Sequence, residues 1–203
     1  MDFITTLFSI VVLVISVMFH ELAHGAVADR LGDPTARLAG RLTLNPLAHL
    51  EWMGSFILPL LCIISGSGFI IGWAKPVPFN PRLLKYQRWG PALVAIAGPL
   101  MNILIAVLCA IAFRLVAAHG GPVGFAQMLS VVVMVNVSLA IFNLVPLPPL
   151  DGHHILGALF ERYRQWSNSL MRGYGFVIMI LVILFAGSII SPVVSFFTRL
   201  LLL

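Results

Sequence analysis

Five apolar runs, at 3–28, 52–74, 91–117, 125–147 and 174–203, make up most of this 203-residue chain. Each approaches or exceeds the roughly 20 residues that cross a hydrocarbon core as a helix. In lipid the backbone N–H and C=O groups must be satisfied inside each segment, so runs of this length specify a polytopic bundle of transmembrane helices. Composition agrees: 60% of the residues are hydrophobic and 9% charged, whereas soluble domains are about half apolar and about a quarter charged. A soluble globular domain is excluded. No polar stretch is long enough to build a second core, so 1–203 reads as a single membrane-embedded domain.

The first run ends near Ala26-Val27-Ala28, a small-residue pattern that resembles a signal-peptide cleavage site. The chain, however, opens Met1-Asp2 with no basic residue, and the run from Phe3 to Phe19 exceeds the roughly 7–15 apolar residues of a signal. It reads as a retained membrane helix. Cys62 and Cys109 lie far apart in apolar runs, which argues against a disulfide framework or a cysteine zinc site. The net charge of +5 comes from 12 Lys and Arg in short loops with no basic stripe. It orients the chain in a bilayer and does not mark a nucleic-acid partner.

Between the runs, 29–51 carries turn residues and the alternation Ala36-Arg37-Leu38-Ala39-Gly40-Arg41-Leu42-Thr43-Leu44, which predicts a short interfacial strand pair. The stretch Trp73 to Pro81 holds three prolines in six residues and must be extended. From Asp151 to Arg172 a short amphipathic helix is expected, with Glu161, Arg162 and Arg164 facing water. Pro59 and Ser65-Gly66-Ser67-Gly68 break 52–74 into halves too short to span, a pattern tolerated where backbone is buried in protein or lines a wet cavity. If this segment dips in and returns, loops 29–51, 75–90 and 148–173 share one face. Ten of the 12 basic residues then lie together, leaving Arg114 and Arg199 at the other end. The positive-inside rule makes that face cytoplasmic. The expected fold is all-α, with about four spanning helices and a re-entrant segment near 52–74.

At the inner end of the first run stands His20-Glu21-Leu22-Ala23-His24. Helical residues four apart share a face, so both imidazoles can address one metal ion while Glu21 lies close by as a base. Ionisable residues within a span cost about 2.5–3.5 kcal/mol each on the insertion scale, and a bound metal offsets that cost. Catalytic zinc sites use three protein ligands and keep one position for water. The third could come from Asp29, Asp33, His49, Glu51, His119, Asp151, His153 or His154. Asp29 is five residues past His24 and faces away on a continuing helix, Glu51 would give a His2Glu set, and His119 should lie on the outer side. Asp151 follows Pro146-Leu147-Pro148-Pro149-Leu150, which stops the fourth run and forces extended backbone before Gly152 permits a tight turn. It fits equally as a ligand and as the N-cap of the next helix.

The HELAH motif ending one helix, Ala97-Gly98-Pro99-Leu100-Met101-Asn102 inside a later one, and Phe142-Asn143-Leu144-Val145-Pro146-Leu147-Pro148-Pro149-Leu150-Asp151-Gly152 ending another together resemble the site-2 protease family of intramembrane zinc metalloproteases. The stretch Gly72 to Pro81 is similar to that of its compact bacterial members. The resemblance covers roughly 10–160. It implies that His20, His24 and Asp151 bind Zn2+, that Glu21 activates water, that Asn143 holds the substrate carbonyl or oxyanion, and that the chain is a multi-pass protein of the bacterial cytoplasmic membrane. The implied substrate is a transmembrane protein in the lipid bilayer, cut near its cytoplasmic end, with 52–74 or 36–44 available to pair with the unwound segment. Gly98-Pro99 and Asn102 read as helix-packing and kink residues, and His153 and His154 as groups around the site or at the interface. The alternative function is a non-proteolytic membrane zinc-binding protein or transporter, in which Glu21 would serve as a ligand. No feature of the sequence sets an oligomeric state.

Overall fold

The computed structural model describes residues 3–45, 57, 60, 61, 64 and 77–203. The first apolar run forms α1 (Phe3–Arg30). Its end is set by Gly32, whose φ of +102° suits glycine and strains other residues. Gly32 N–H donates to Asp29 O at 3.1 Å and Asp33 N–H to Ala28 O at 3.0 Å, satisfying last-turn carbonyls that a helix otherwise leaves open.

Over 29–45, the described part of 29–51, the expected strand pair is not formed. Thr35–Leu38 is a helical turn, α2, Leu38 N–H donates to Pro34 O and Ala39 N–H to Thr35 O, and no strand occurs among the described residues. The cause is Asp33-Pro34: the proline ring presets a helical φ, while Asp33 accepts from the Thr35 hydroxyl and, at 3.0 Å, from the Thr35 N–H. Local capping outweighs the period-two alternation. Residues 46–51 and the re-entrant segment expected at 52–74, apart from 57, 60, 61 and 64, lie outside the described residues. Asn80 is extended, as the prolines predict, and accepts from Arg82 N–H as the chain enters a 3-10 turn at Pro81–Leu83.

Two long helices follow, α3 (Gly90–Ala118) and α4 (Val123–Leu144), joined by a turn with Gly120 at φ +65°. With α1 they are the three helices among the described residues that are long and apolar enough to cross a membrane. The amphipathic helix expected at 151–172 is instead divided. α5 (Gly152–Leu159) stops at an extended Phe160, and α6 (Glu161–Leu202) runs on for 42 residues. Arg88 explains the break, because its guanidinium donates to Ala158 O (2.9 Å) and Leu159 O (3.3 Å), the carbonyls that a continuing helix would have used. Glu161 and Arg164, 2.6 Å apart, then open α6.

Packing follows membrane logic, with small residues between helices and large apolar ones outside. Ala106 and Ala110 of α3 meet Val133 and Val137 of α4 in one buried cluster, while Phe3, Ile4, Leu108, Leu115 and Phe196 are exposed. At the far end Arg114 of α3 donates to Leu200 O and Leu201 O, at 3.1 and 3.0 Å. With Arg88 near its start and Arg114 at its finish, α6 runs the full length of the bundle.

The polar loops meet at the other end. Lys85 N–H donates to Leu31 O at 2.8 Å, Asp33 also accepts from Asn80 N–H, and the backbone of Gly25 is flanked by both Leu42 and Val77. The chain thus leaves and rejoins the bundle at one place, on either side of 46–76. Single cysteines replacing Arg41 and Arg82, in a background lacking Cys62 and Cys109, should be labelled by a membrane-impermeant thiol reagent from the same side. Labelling from opposite sides would contradict this arrangement.

Asp33 is fully buried. Burial pushes its carboxyl up, but hydrogen bonds from the Thr35 side chain and the Asn80 and Thr35 amides outweigh it and hold the group below the ordinary carboxylate range. A depressed folded-state pKa stabilises above the unfolded value and is lost as pH falls through the folded one. Asp33→Asn turns an amide toward donors, so it should cost about 1–3 kcal/mol and flatten the acid limb of the stability–pH curve. An unchanged acid limb would remove Asp33 as the anchor.

Candidate metal centre

α1 brings His20 and His24 to one face, one turn apart, both buried. Their rings stand edge to face at 89°, with centroids 4.5 Å apart. The loop after α4 lays Asp151 against them. Its Oδ2 is 3.1 Å from His20 Nε2 and 3.3 Å from His24 Nε2, and the two Nε2 atoms are 3.0 Å apart. Asp151 has helical dihedrals at the head of α5 but makes no capping hydrogen bond, so the cap reading of this residue is not realised. Gly152 does not adopt positive φ. It is needed because a Cβ there would collide with Leu144 O and Val145 O, where α5 folds back on the end of α4.

This triangle fits a metal ion. Each imidazole turns its Nδ1 away to an oxygen, His24 to Val94 O at 2.7 Å and His20 to Asn102 Oδ1 at 2.6 Å. Carbonyl oxygens accept, so the Nδ1 atoms carry the hydrogens and the Nε2 lone pairs point inward. Asp151 Oδ2 is buried with no hydrogen-bond partner. Three acceptors facing one another need a cation at their centre. Ligands held at about 2.0–2.1 Å around a tetrahedral metal stand about 3.3 Å apart, close to the observed edges.

Glu21 lies beside the triangle, one of its carboxylate oxygens within 4.8 Å of a ring nitrogen of each histidine, and Oε2 accepts from Val77 N–H at 2.8 Å. Asn143, near the end of α4, donates from Nδ2 to Leu139 O at 3.0 Å in its own helix, which leaves its second N–H for another acceptor.

The other candidates for a third ligand are elsewhere. Asp29 pairs with Arg37 at 3.2 Å, Asp33 anchors the loops, and His119 bonds Leu115 O at the far end of α3. His49 and Glu51 lie outside the described residues. His153 turns Nδ1 to Leu150 O. His154 packs against His153 and Phe79, and burial, reinforced by His153, lowers its pKa to about 4, so it is neutral.

Two residues do more than the sequence indicated. Asn102, read as a packing residue, holds His20. Gly98 forms the wall of the triangle: a Cβ there would lie 2.5 Å from His24 Nε2 and 2.6 Å from His20 Nε2. Pro99, inside α3, removes the N–H that Ala95 O, next to Val94, would accept in a regular helix. An asparagine one turn past Gly-Pro within a span was the available signal.

With this geometry in hand, comparisons place the chain among known proteins. The model for "Peptidase family M50" matches residues 8–120 and 115–187. Three similar proteins each bear the name "Putative zinc metalloprotease". YwhC of Bacillus subtilis is 36% identical over 179 residues, covering 85% of this chain and 78% of its own. Rip2 of Mycolicibacterium smegmatis is 29% identical over 171 residues, covering 83% of this chain. Rip2 of Mycobacterium tuberculosis is 30% identical over 172 residues, covering 84%. The chain spans 63% of the length of each mycobacterial relative. No solved structure matches it.

The wall at Gly98 gives a sharp expectation. Gly98→Ala should keep its helical content by circular dichroism and lose most of the divalent metal that the parent retains on purification, measured by elemental analysis. Parental stoichiometry in that variant would mean that the imidazoles do not converge beneath Gly98.

Proposed function

The chain belongs to peptidase family M50, and from that premise we propose that it is an intramembrane zinc metalloprotease, hydrolysing peptide bonds of transmembrane-helix substrates near the cytoplasmic membrane face. The observation that carries this reading is the inward-facing acceptor triangle of His20, His24 and Asp151 with a carboxylate, Glu21, at its side. These three residues would hold zinc, which when bound supplies a water of near-neutral pKa and polarises the scissile carbonyl.

The rest of the chemistry falls to the protein. The Val77 amide fixes Glu21 through Oε2, so Oε1 is the oxygen that takes the water's proton and returns it to the leaving amine. Asn143 uses the N–H not given to Leu139 to meet the developing oxyanion, a contact worth about 2.7–4 kcal/mol in other hydrolases. Substrate carbonyls inside a helix are bonded to their own backbone, so the substrate must unwind locally before it is cut. Residues 36–44 do not offer that segment a continuous extended edge, since α2 occupies part of them.

The cytoplasmic assignment draws support from the basic loops, which share the metal end of the bundle. α6 would be the fourth span, and 52–74 would dip and return, because both of its flanks rejoin at Gly25. Glu21→Gln should retain zinc and abolish cleavage of a transmembrane reporter in reconstituted vesicles. Unimpaired cleavage would remove Glu21 as the base. Loss of zinc together with cleavage would make Glu21 a ligand and favour a carrier.

A further inference from the structure

We infer that Asn136, acting through Asn102, is a positioning residue that locks His20 in the tautomer able to bind metal, whether or not metal is present. The inference rests on the zinc-site reading of His20. Neither asparagine touches the ligand triangle's centre. Both are fully buried and Ser16 is buried, and they link α1, α3 and α4 in one polar chain within an otherwise apolar bundle.

The direction of every hydrogen bond follows from its ends. Asn136 places Nδ2 2.9 Å from Val132 O and 2.9 Å from Ser16 Oγ. A backbone carbonyl only accepts, so the NH2 of Asn136 must face Val132 and its Oδ1 must face away. That oxygen lies 2.9 Å from Asn102 Nδ2, which also approaches the Ser16 carbonyl at 3.4 Å. Asn102 is thereby oriented twice over, by two groups that can only accept from it. Its Oδ1 is left for His20 Nδ1 at 2.6 Å. Nδ1 must carry the hydrogen, and Nε2 keeps its lone pair toward Asp151 and His24. An inverted Asn102 would present N–H to Nδ1, force the hydrogen onto Nε2 and block the ligand position. Reversing Asn102 requires breaking its bond to Asn136, so the tautomer is set about two side chains away from the metal. Partners of this kind, one shell beyond the ligands, change metal affinity by about 10–100-fold when removed.

The test uses the full chain, purified with zinc in detergent and challenged with rising chelator. Asn102→Leu and Asn136→Leu should release zinc about 10–100-fold more readily than the parent. If Asn136→Leu matches the parent, the inference is wrong. A second measurement needs no variant of the network. The imidazole 15N spectrum of the metal-free parent, with His20 assigned by its absence in His20→Ala, should show the Nδ1–H form, and an Nε2–H signal would overturn the inference. Full zinc retention by His20→Ala would instead refute the zinc-site reading on which it rests.

Discussion

Three acceptor atoms within 3.3 Å of one another, in the interior of an apolar bundle, are unstable unless a positive charge sits between them. Much of the structure can be understood as the means of holding them there. In water such a cluster would separate and hydrate. Here His20 and His24 are fixed on a helix turn, and Asp151 is held by a loop whose three prolines restrict its backbone. The cost of burying these groups is a reason to retain a metal, and a bound cation would make the end of α1 and the end of α4 a single site.

The same demand for satisfied polar groups organises the helix ends. At the metal end, Arg88 closes α5, Gly32 closes α1, and Asp33 gathers Thr35 and Asn80. At the opposite end Arg114 closes α6. The bonds of Arg88, of Arg114 and of Asp33 to Asn80 join segments distant in sequence, so closing those ends also sets a tertiary contact. The loop held by Asp33 and Leu31 ends in the Val77 amide, which orients Glu21. Anchoring of the loops and aim of Glu21 are thus coupled through fewer than ten residues of backbone, from Val77 to Lys85.

The sequence made the long helices and the candidate ligand set legible for different reasons. Apolar length announces a span without help from tertiary contacts, and α1, α3 and α4 appear where hydropathy puts them. HELAH can be read because helical period alone brings His20 and His24 together. Asp151 required the family resemblance, since an acidic residue before Gly152 at a helix start is equally a cap. The misread parts are interfacial. The alternation at 36–44 mimics a strand until Asp33-Pro34 starts a helix, and 151–172 looks continuous until Arg88, distant in sequence, closes it at Leu159. Asn136 was not singled out at all: one asparagine within an apolar run discloses nothing of its partner until α1 and α3 are packed beside it.

The register between α1 and α3 ties these observations together. Along α1 the residues that matter are Ser16, His20 and His24; along α3 they are Val94, Gly98 and Asn102. Both sets step by four, and they meet in antiparallel order: Ser16 with Asn102, His20 with Asn102 and Gly98, His24 with Gly98 and Val94. Ridges of i±4 residues pack in this manner in soluble proteins too. In lipid, however, apolar contacts discriminate poorly between one register and the next, because leucine meets lipid as readily as leucine. Sliding α3 by one turn, about 5.4 Å, would keep most van der Waals contact. It would also bring a bulkier side chain onto the imidazoles where Gly98 now stands, and strand the His20 Nδ1–H. Polar bonds are thus the register mark of the bundle, and the site they build is the reason the register has to be unique.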